Sequence, residues 1–230
     1  MIDNAHRRKI IDQNEIEVQS RIVDASNATL IGEIDGIKVV YKPIAGERPL
    51  WDFPDGNLAS REVAAFSVSE LMGIHRVPYT TLRDGPFGMG MVQEWIEIDE
   101  NIDLIQYSQS DEPQLRELAL FDAVINNTDR KIGHLLVDQN GSLFGCDHGV
   151  TFHEEDKLRT VLWQWRGQPL TERERATLEG FLRKDLDLHL SQLITESEIN
   201  ALRSRVLNLL ESNCFPMPTG EWPAIPWPPV

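Results

Sequence analysis

The chain has 230 residues, 41% hydrophobic and 26% charged, ordinary values for a soluble globular protein and enough for one large domain or two small lobes sharing a cleft. Its net charge of −15 disfavours nucleic-acid backbones and anionic lipid surfaces as bulk partners. No apolar run approaches a membrane span, residues 1–9 lack the apolar core of a signal peptide, and Cys146 and Cys214 imply no disulfide framework. The expectation is a cytoplasmic protein with no nucleic-acid partner and no integral membrane segment.

Residues 1–24 show no consistent period. Segments 29–34 and 37–44 read as a hairpin about Asp35-Gly36, and alternation puts Lys42 on the same face as Val40. After a Gly/Pro-rich loop, 58–72 reads as a helix stopped by Gly73. Leu58, Glu62, Ala65, Phe66 and Met72 share one face, and an acid inside an apolar stripe needs a partner. Segments 77–82 and 89–96 read as a second hairpin about Asp84-Gly85-Pro86. Pro113 stands in the first turn of a helix that buries Leu115, Leu118, Phe121, Val124 and Ile125 and delivers residues 126–129.

The stretch from 126 to 149 carries the chemistry. Strands 134–137 and 143–147 join at Asn140-Gly141, a strong tight-turn signal, with Asp129 and Asp147 on either side. Such a hairpin brings two carboxylates to one edge, where a metal–phosphate site needs them. Further on, Trp163, Trp165 and Arg166 read as core anchors or substrate contacts, and Thr171 to Glu174 and Thr195 to Glu198 are capping boxes. The second of these opens a helix with Ile199, Leu202, Val206, Leu209 and Leu210 inside. Residues 216–230 are rich in Pro and Trp, too stiff for a helix or central strand; they pack along the surface through Trp222 and Trp227 or await a partner.

Asp129-Arg130-Lys131 and Gly141-Ser142-Leu143-Phe144-Gly145-Cys146-Asp147-His148-Gly149 resemble the catalytic core of protein-kinase-like enzymes, the phosphoinositide 3-/4-kinase branch most closely. That branch carries Asp-Arg-His and then Gly-x-Leu-Phe-x-x-Asp-Phe-Gly. This chain departs from it at Lys131 in place of His, at His134 where kinases have a metal-binding Asn, and at His148 in place of Phe. Over most of its length it is also similar to a family of uncharacterised, largely actinobacterial proteins with an Asp-Arg-Lys and Asp-His-Gly arrangement, distantly linked to those kinases.

The resemblance implies an α+β, two-lobed protein-kinase-like fold: an antiparallel-sheet small lobe over 1–95, a mainly helical large lobe over 96–215, and the tail 216–230. It implies ATP with Mg²⁺ or Mn²⁺. Lys42 would contact the nucleotide phosphates with Glu62 orienting it, and Gln93, Glu94 and Trp95 would form the adenine-binding hinge, with Met91 and Trp95 either lining the adenine slot or packing in the core. Asp129 would receive or align the acceptor hydroxyl, Lys131 would steady the migrating phosphoryl group, and Arg130 would hold the loop by pairing with Asp122. Asp147 would bind the metal; His134 is either a second metal ligand, tilting preference toward Mn²⁺, or a hydrogen-bonding residue. The Gly-rich loop of kinases is absent, and Ser26-Asn27-Ala28-Thr29 offers backbone N–H groups instead.

The leading reading is an ATP-dependent phosphotransferase acting on a hydroxyl of a small molecule or protein. The alternatives are a nucleotide-binding regulatory pseudokinase and a two-carboxylate hydrolase using Asp129 and Asp147. His134, His148 and His153 lack the Cys–His spacing of a zinc site.

Overall fold

Alternating apolar residues and tight turns build one antiparallel sheet from β1 (Glu17–Arg21), β2 (Leu30–Ile34), β3 (Ile37–Pro43), β4 (Thr80–Gly85) and β5 (Gly88–Glu94), in the order β1-β2-β3-β5-β4. The computed structural model describes residues 3–22 and 27–230. Along β3, buried and half-buried residues alternate without a break, so Ile37, Val39 and Tyr41 enter a core while Lys38, Val40 and Lys42 face the other way. The turn at Asp35-Gly36 has both residues at positive φ, as the tightest hairpin loop requires. The second hairpin turns after Gly85, slightly beyond the expected Asp84-Gly85-Pro86, because Asp84 still pairs with Met89 and Gly85 with Gly88.

An N-terminal helix, α1 (Asn4–Gln13), covers the inner face of the sheet, with Ile11 and Ile16 packed on Leu30, Ile34, Ile37, Val39, Tyr41 and Val92. Only Ile11 of this helix is fully buried, too little apolar periodicity to read in advance. Polar ties complete its docking. Tyr79 donates to Asp12 at 2.6 Å, and the Arg83 guanidinium donates to the carbonyls of Ile11 and Asn14.

Helix α2 (Leu58–Met72) runs as the sequence predicts, started by Asn57, whose side chain accepts Ser60 N–H, and ended by Gly73 in the left-handed region. Its Ala64, Ala65, Val68 and Met72 belong to the second and larger core, shared with α4 (Pro113–Ile125) and α7 (Glu196–Ser212). The remaining elements of that region are α3 (Leu104–Ser108), the two-stranded ribbon β6 (Leu135–Val137) and β7 (Leu143–Gly145), α5 (Glu172–Leu182) and α6 (Leu186–Leu190). Both capping boxes form, at Thr171–Glu174 and at Thr195–Glu198. The architecture is α+β in two lobes, an antiparallel sheet above a mainly helical body.

The ribbon is shorter than its sequence suggests. A 3-10 turn over Ile132–His134 precedes β6, so His134 lies outside the strand, and β7 ends at Gly145. A Cβ at Gly145 would stand 3.0 Å from the Arg130 guanidinium, tighter than an ordinary contact, so the glycine gives the buried guanidinium its room. The tail differs from expectation at one anchor. Trp222 stacks on Lys157, its ring centroid 4.6 Å from Nζ, but Trp227 is 86% exposed and Pro226 is the buried residue of that stretch.

Candidate active site

Strand β3 presents Lys42 to the groove between the lobes, and two carboxylates from different elements meet its ammonium. Nζ lies 2.6 Å from Glu62 Oε1 on α2 and 2.7 Å from Asp147 Oδ1 beyond β7. Glu62 has 2% of its side chain exposed, and its other oxygen accepts the backbone N–H of His148 at 2.9 Å. The acid in the apolar stripe therefore has its partners, as burial demands. Burial by itself would lower the Lys42 pKa; the charges of Asp147 and Glu62 outweigh it and raise the pKa above the ordinary lysine value. The same ammonium is the main influence holding Asp147 well below the usual carboxylate range.

Asp147 has φ +59°, in the left-handed region that Asp tolerates better than most residues. The conformation turns its carboxylate out of the ribbon into the cleft, where the side chain stays half exposed. Oδ2 faces His134 Nε2 at 3.5 Å, and His134 Nδ1 faces the Lys131 N–H at 3.5 Å. Burial, with Arg130 nearby, lowers the His134 pKa against the pull of Asp147, so the ring is held neutral.

The loop is braced from beneath. Arg130, fully buried, makes a two-point pair with Asp122 of α4: Nε to Oδ2 at 2.9 Å and Nη2 to Oδ1 at 2.8 Å. Asn127 adds a third donor to Asp122 at 3.0 Å. Arg130 also donates to the Cys146 carbonyl at 3.0 Å and to His148 Nε2 at 2.7 Å, and His148 packs edge-on against Phe121. Burial and the Arg130 charge push the His148 pKa well below its ordinary value. The neutral imidazole accepts where a phenylalanine has nothing to offer.

Lys131 reaches Asp129, Nζ to Oδ2 at 3.1 Å. Lys131 lines the cleft directly; Asp129 stands behind it, with 30% of its side chain exposed. The cleft has a polar part of about 620 Å³, lined by Thr29, Lys42, Glu62, Lys131, His134 and Asp147. A less polar part of about 410 Å³ continues from it, lined by Val40, Gln93, Glu94, Trp95, Ile96 and Leu136. Both sizes suit a small-molecule site. Met91 is fully buried opposite Lys42 and belongs to the interior. Of the proposed phosphate-covering stretch, Ser26 lies outside the described residues, Asn27 and Thr29 line the polar part, and the Ala28 N–H is occupied by the Gly46 carbonyl at 3.2 Å.

Asp147 and His134 supply two protein donors at one point, and among the described residues no group of three or more His, Cys, Asp or Glu gathers to enclose an ion. That set fits a divalent cation arriving on nucleotide phosphates, whose oxygens and waters complete its shell, and does not fit an ion caged by protein alone.

Three features escaped the sequence reading. Arg61, beside Glu62, is buried against Glu198 of α7 at 2.5 Å and donates to the Thr151 carbonyl at 2.9 Å, tying α2 to the large lobe. Its only signal was a second charge in the same apolar stripe. Glu47 accepts the N–H groups of Leu58 and Ala59, both at 2.8 Å, at the start of α2. Pro228 and Val230 of the tail line the polar part of the cleft, far in sequence from everything else there.

No family model matches the chain. Protein Rv2133c of Mycobacterium tuberculosis is 39% identical over an alignment that covers 95% of this chain and 94% of that protein. The chain belongs to the Rv2133c family. Among solved structures, hydra Fam20 with sugar superposes with a TM-score of 0.63 at 15% identity, over 92% of this chain and 89% of that one. The Golgi casein kinase with Mn/ADP bound gives 0.61 at 14% identity, over 92% and 76%. The Helicobacter pylori proinflammatory kinase CtkA gives 0.53 at 12% identity, over 89% and 94%. At these identities the likeness establishes the fold alone, and the fold of this Rv2133c family member is α+β, two-lobed and kinase-like.

Proposed function

We propose that this protein is an ATP-dependent phosphotransferase acting on a hydroxyl acceptor in the cytoplasm, most similar in its motifs to the phosphoinositide 3-/4-kinases. The observation that carries the reading is Lys42 held at 2.6 and 2.7 Å between Glu62 and Asp147. A chain needing only a stable sheet has no use for a lysine fixed by two acids from separate elements in an open cleft. The Golgi casein kinase with Mn/ADP bound, similar in fold, supports nucleotide and divalent metal as the cofactors.

In this reading the less polar part of the cleft takes the adenine against Val40 and the hinge residues Gln93, Glu94 and Trp95. Lys42 moves from Asp147 onto phosphate oxygens while Glu62 keeps its orientation. Asp147, with His134 beside it, would hold a divalent cation, which would supply neutralisation of phosphate charge. Lys131 places a cation near the migrating group, and Asp129 aligns the acceptor hydroxyl or takes its proton. Positioning and charge neutralisation supply the rate, since the protein does little covalent chemistry in such transfers. The small lobe ends at residue 95, and 216–230 is an appendage to the large lobe.

A regulatory, non-transferring nucleotide binder is the second reading, favoured by His134 and His148 standing where the kinases it resembles carry a metal-binding Asn and a Phe. Lys42→Met separates the readings from a purely structural role. Wild-type protein should gain thermal stability with ATP and Mn²⁺, and Lys42→Met should lose that gain, each protein being compared with its own unliganded melting temperature because the variant leaves buried Glu62 without its cation. ATP consumption with a hydroxyl acceptor then distinguishes transfer from regulation. An equal response of both proteins to ATP would remove Lys42 from the site.

A further inference from the structure

We propose that the acceptor is a small hydroxyl-bearing group, free in solution or carried as a lipid headgroup, and that the segment 222–230 bars an extended polypeptide from the same place. The inference rests on the phosphotransferase reading. It concerns which hydroxyl can reach Asp129 and Lys131.

The segment returns to the catalytic loop and is bonded to it. The Ala224 carbonyl accepts the Thr160 N–H at 3.0 Å and the Trp163 indole N–H at 2.8 Å. Pro226 is buried. The Pro229 carbonyl accepts the N–H of Ile132, the residue after Lys131, at 2.8 Å. Pro228 and Val230 then form cleft wall together with Lys131, His134 and Asp147.

One route by which an extended polypeptide binds is pairing with a free backbone edge. Beside Asp129 that edge is occupied. Arg130 N–H donates to the Arg159 carbonyl, Val161 N–H to the Arg130 carbonyl, and the N–H groups of Ile132 and Thr160 to the tail. The tail offers no replacement edge, because Pro226, Pro228 and Pro229 have no N–H. What remains is a walled space of about 620 Å³ with two lysines in its lining, a size for a small group beside nucleotide phosphates. In the transfer, a bond forms between the acceptor oxygen and the γ-phosphorus while the bond to the β–γ bridging oxygen breaks. The acceptor's proton passes to Asp129, and ADP leaves.

The tail also leaves Ile225, Trp227 and Val230 exposed by 49, 86 and 62%, an apolar rim that a lipid surface would cover. The test therefore has separate arms. Full-length protein with γ-labelled ATP and Mn²⁺ is offered glycerol, myo-inositol and hexoses; phosphatidylcholine vesicles containing phosphatidylinositol; and denatured polypeptides. Label should appear in the first or second arm and be absent from the third. Pro226→Asp, which places a charge where the tail is buried, should raise ATP hydrolysis several-fold and admit label into polypeptides. Hydrogen exchange gives a readout without turnover: the Ile132 and Thr160 amides should be protected in the unaltered chain and exposed in Pro226→Asp, while α7 stays protected in both. Polypeptide labelling by the unaltered chain, or rapid exchange of those two amides, would overturn the inference. Absence of ATP binding would defeat the phosphotransferase reading itself, whereas ATP binding with polypeptide labelling would defeat only the assignment of the acceptor.

Discussion

Glu62 accepts the backbone N–H of His148 at 2.9 Å with one carboxylate oxygen while the other takes Lys42 at 2.6 Å. The helix that orients the lysine is thus fastened to the loop that carries Asp147, and Arg61–Glu198 fastens the same helix to α7. No added modification is required to bring Lys42, Glu62 and Asp147 together.

Glu62→Gln keeps an acceptor for the His148 amide and removes the charge beside Lys42. ATP affinity should fall about tenfold, roughly 1.4 kcal/mol, with little change in stability. Glu62→Ala should lose the same affinity and also about 1–3 kcal/mol of stability, because the buried amide is left without a partner. Calorimetric titration and urea unfolding of both variants separate the two effects.

The Asp122–Arg130 pair is fully buried, and removing one partner strands the other charge. Asp122→Ala should cost about 3–5 kcal/mol by urea unfolding. A loss within about 0.5 kcal/mol would mean that Asn127, His148 and the Cys146 carbonyl hold Arg130 unaided.

His148 is neutral in the folded protein because burial and Arg130 lower its pKa, whereas an unfolded histidine titrates near pH 6.5. Between the depressed folded value and about 6.5 the unfolded chain binds more protons than the native one. Stability is therefore full above about pH 6.5 and declines as the pH falls below it. His134 acts in the same direction. Replacing His148 with Gln should flatten the decline measured by denaturant unfolding between about pH 5 and 7. An unchanged slope would place the protonation elsewhere.

Much of this arrangement was legible in the sequence because it rests on local signals. The 3.6-residue stripe of α2 and the positive-φ turns have a short-range cause, whereas the interval from Asp129 to Asp147 and the pairing of Lys42 with Glu62 were read through the resemblance to kinase motifs. The ribbon ends were misjudged because His134 and Asp147 are set by the 3-10 turn and by a left-handed residue, neither of which hydrophobic alternation encodes. Helix α1 was hidden because it buries one fully apolar residue and docks through Arg83 and Tyr79, contributed from a distant hairpin. Arg61–Glu198 and the tail's place at the cleft are long-range pairings with no periodic trace.

His134 stands where the kinases that its motifs resemble carry an asparagine oxygen. If its nitrogen joins the metal shell, Mn²⁺ should be favoured over Mg²⁺ for ATP binding. His134→Asn should then shrink the ratio of the two affinities. Since Mn²⁺ binds most such sites more tightly, the change between wild type and variant is the quantity that matters. An unchanged ratio would leave His134 as a hydrogen-bonding residue beside Asp147.

The division of labour between the two aspartates tests the central claim most directly. Titrating ATP with Mn²⁺ into wild type, Asp129→Asn and Asp147→Asn should show tight binding by the first two and at least about a tenfold weaker affinity, roughly 1.4 kcal/mol, for Asp147→Asn. Asp129→Asn should lose only transfer to the acceptor. Wild-type protein that fails to bind ATP, or an equal loss of affinity in both variants, would contradict the account.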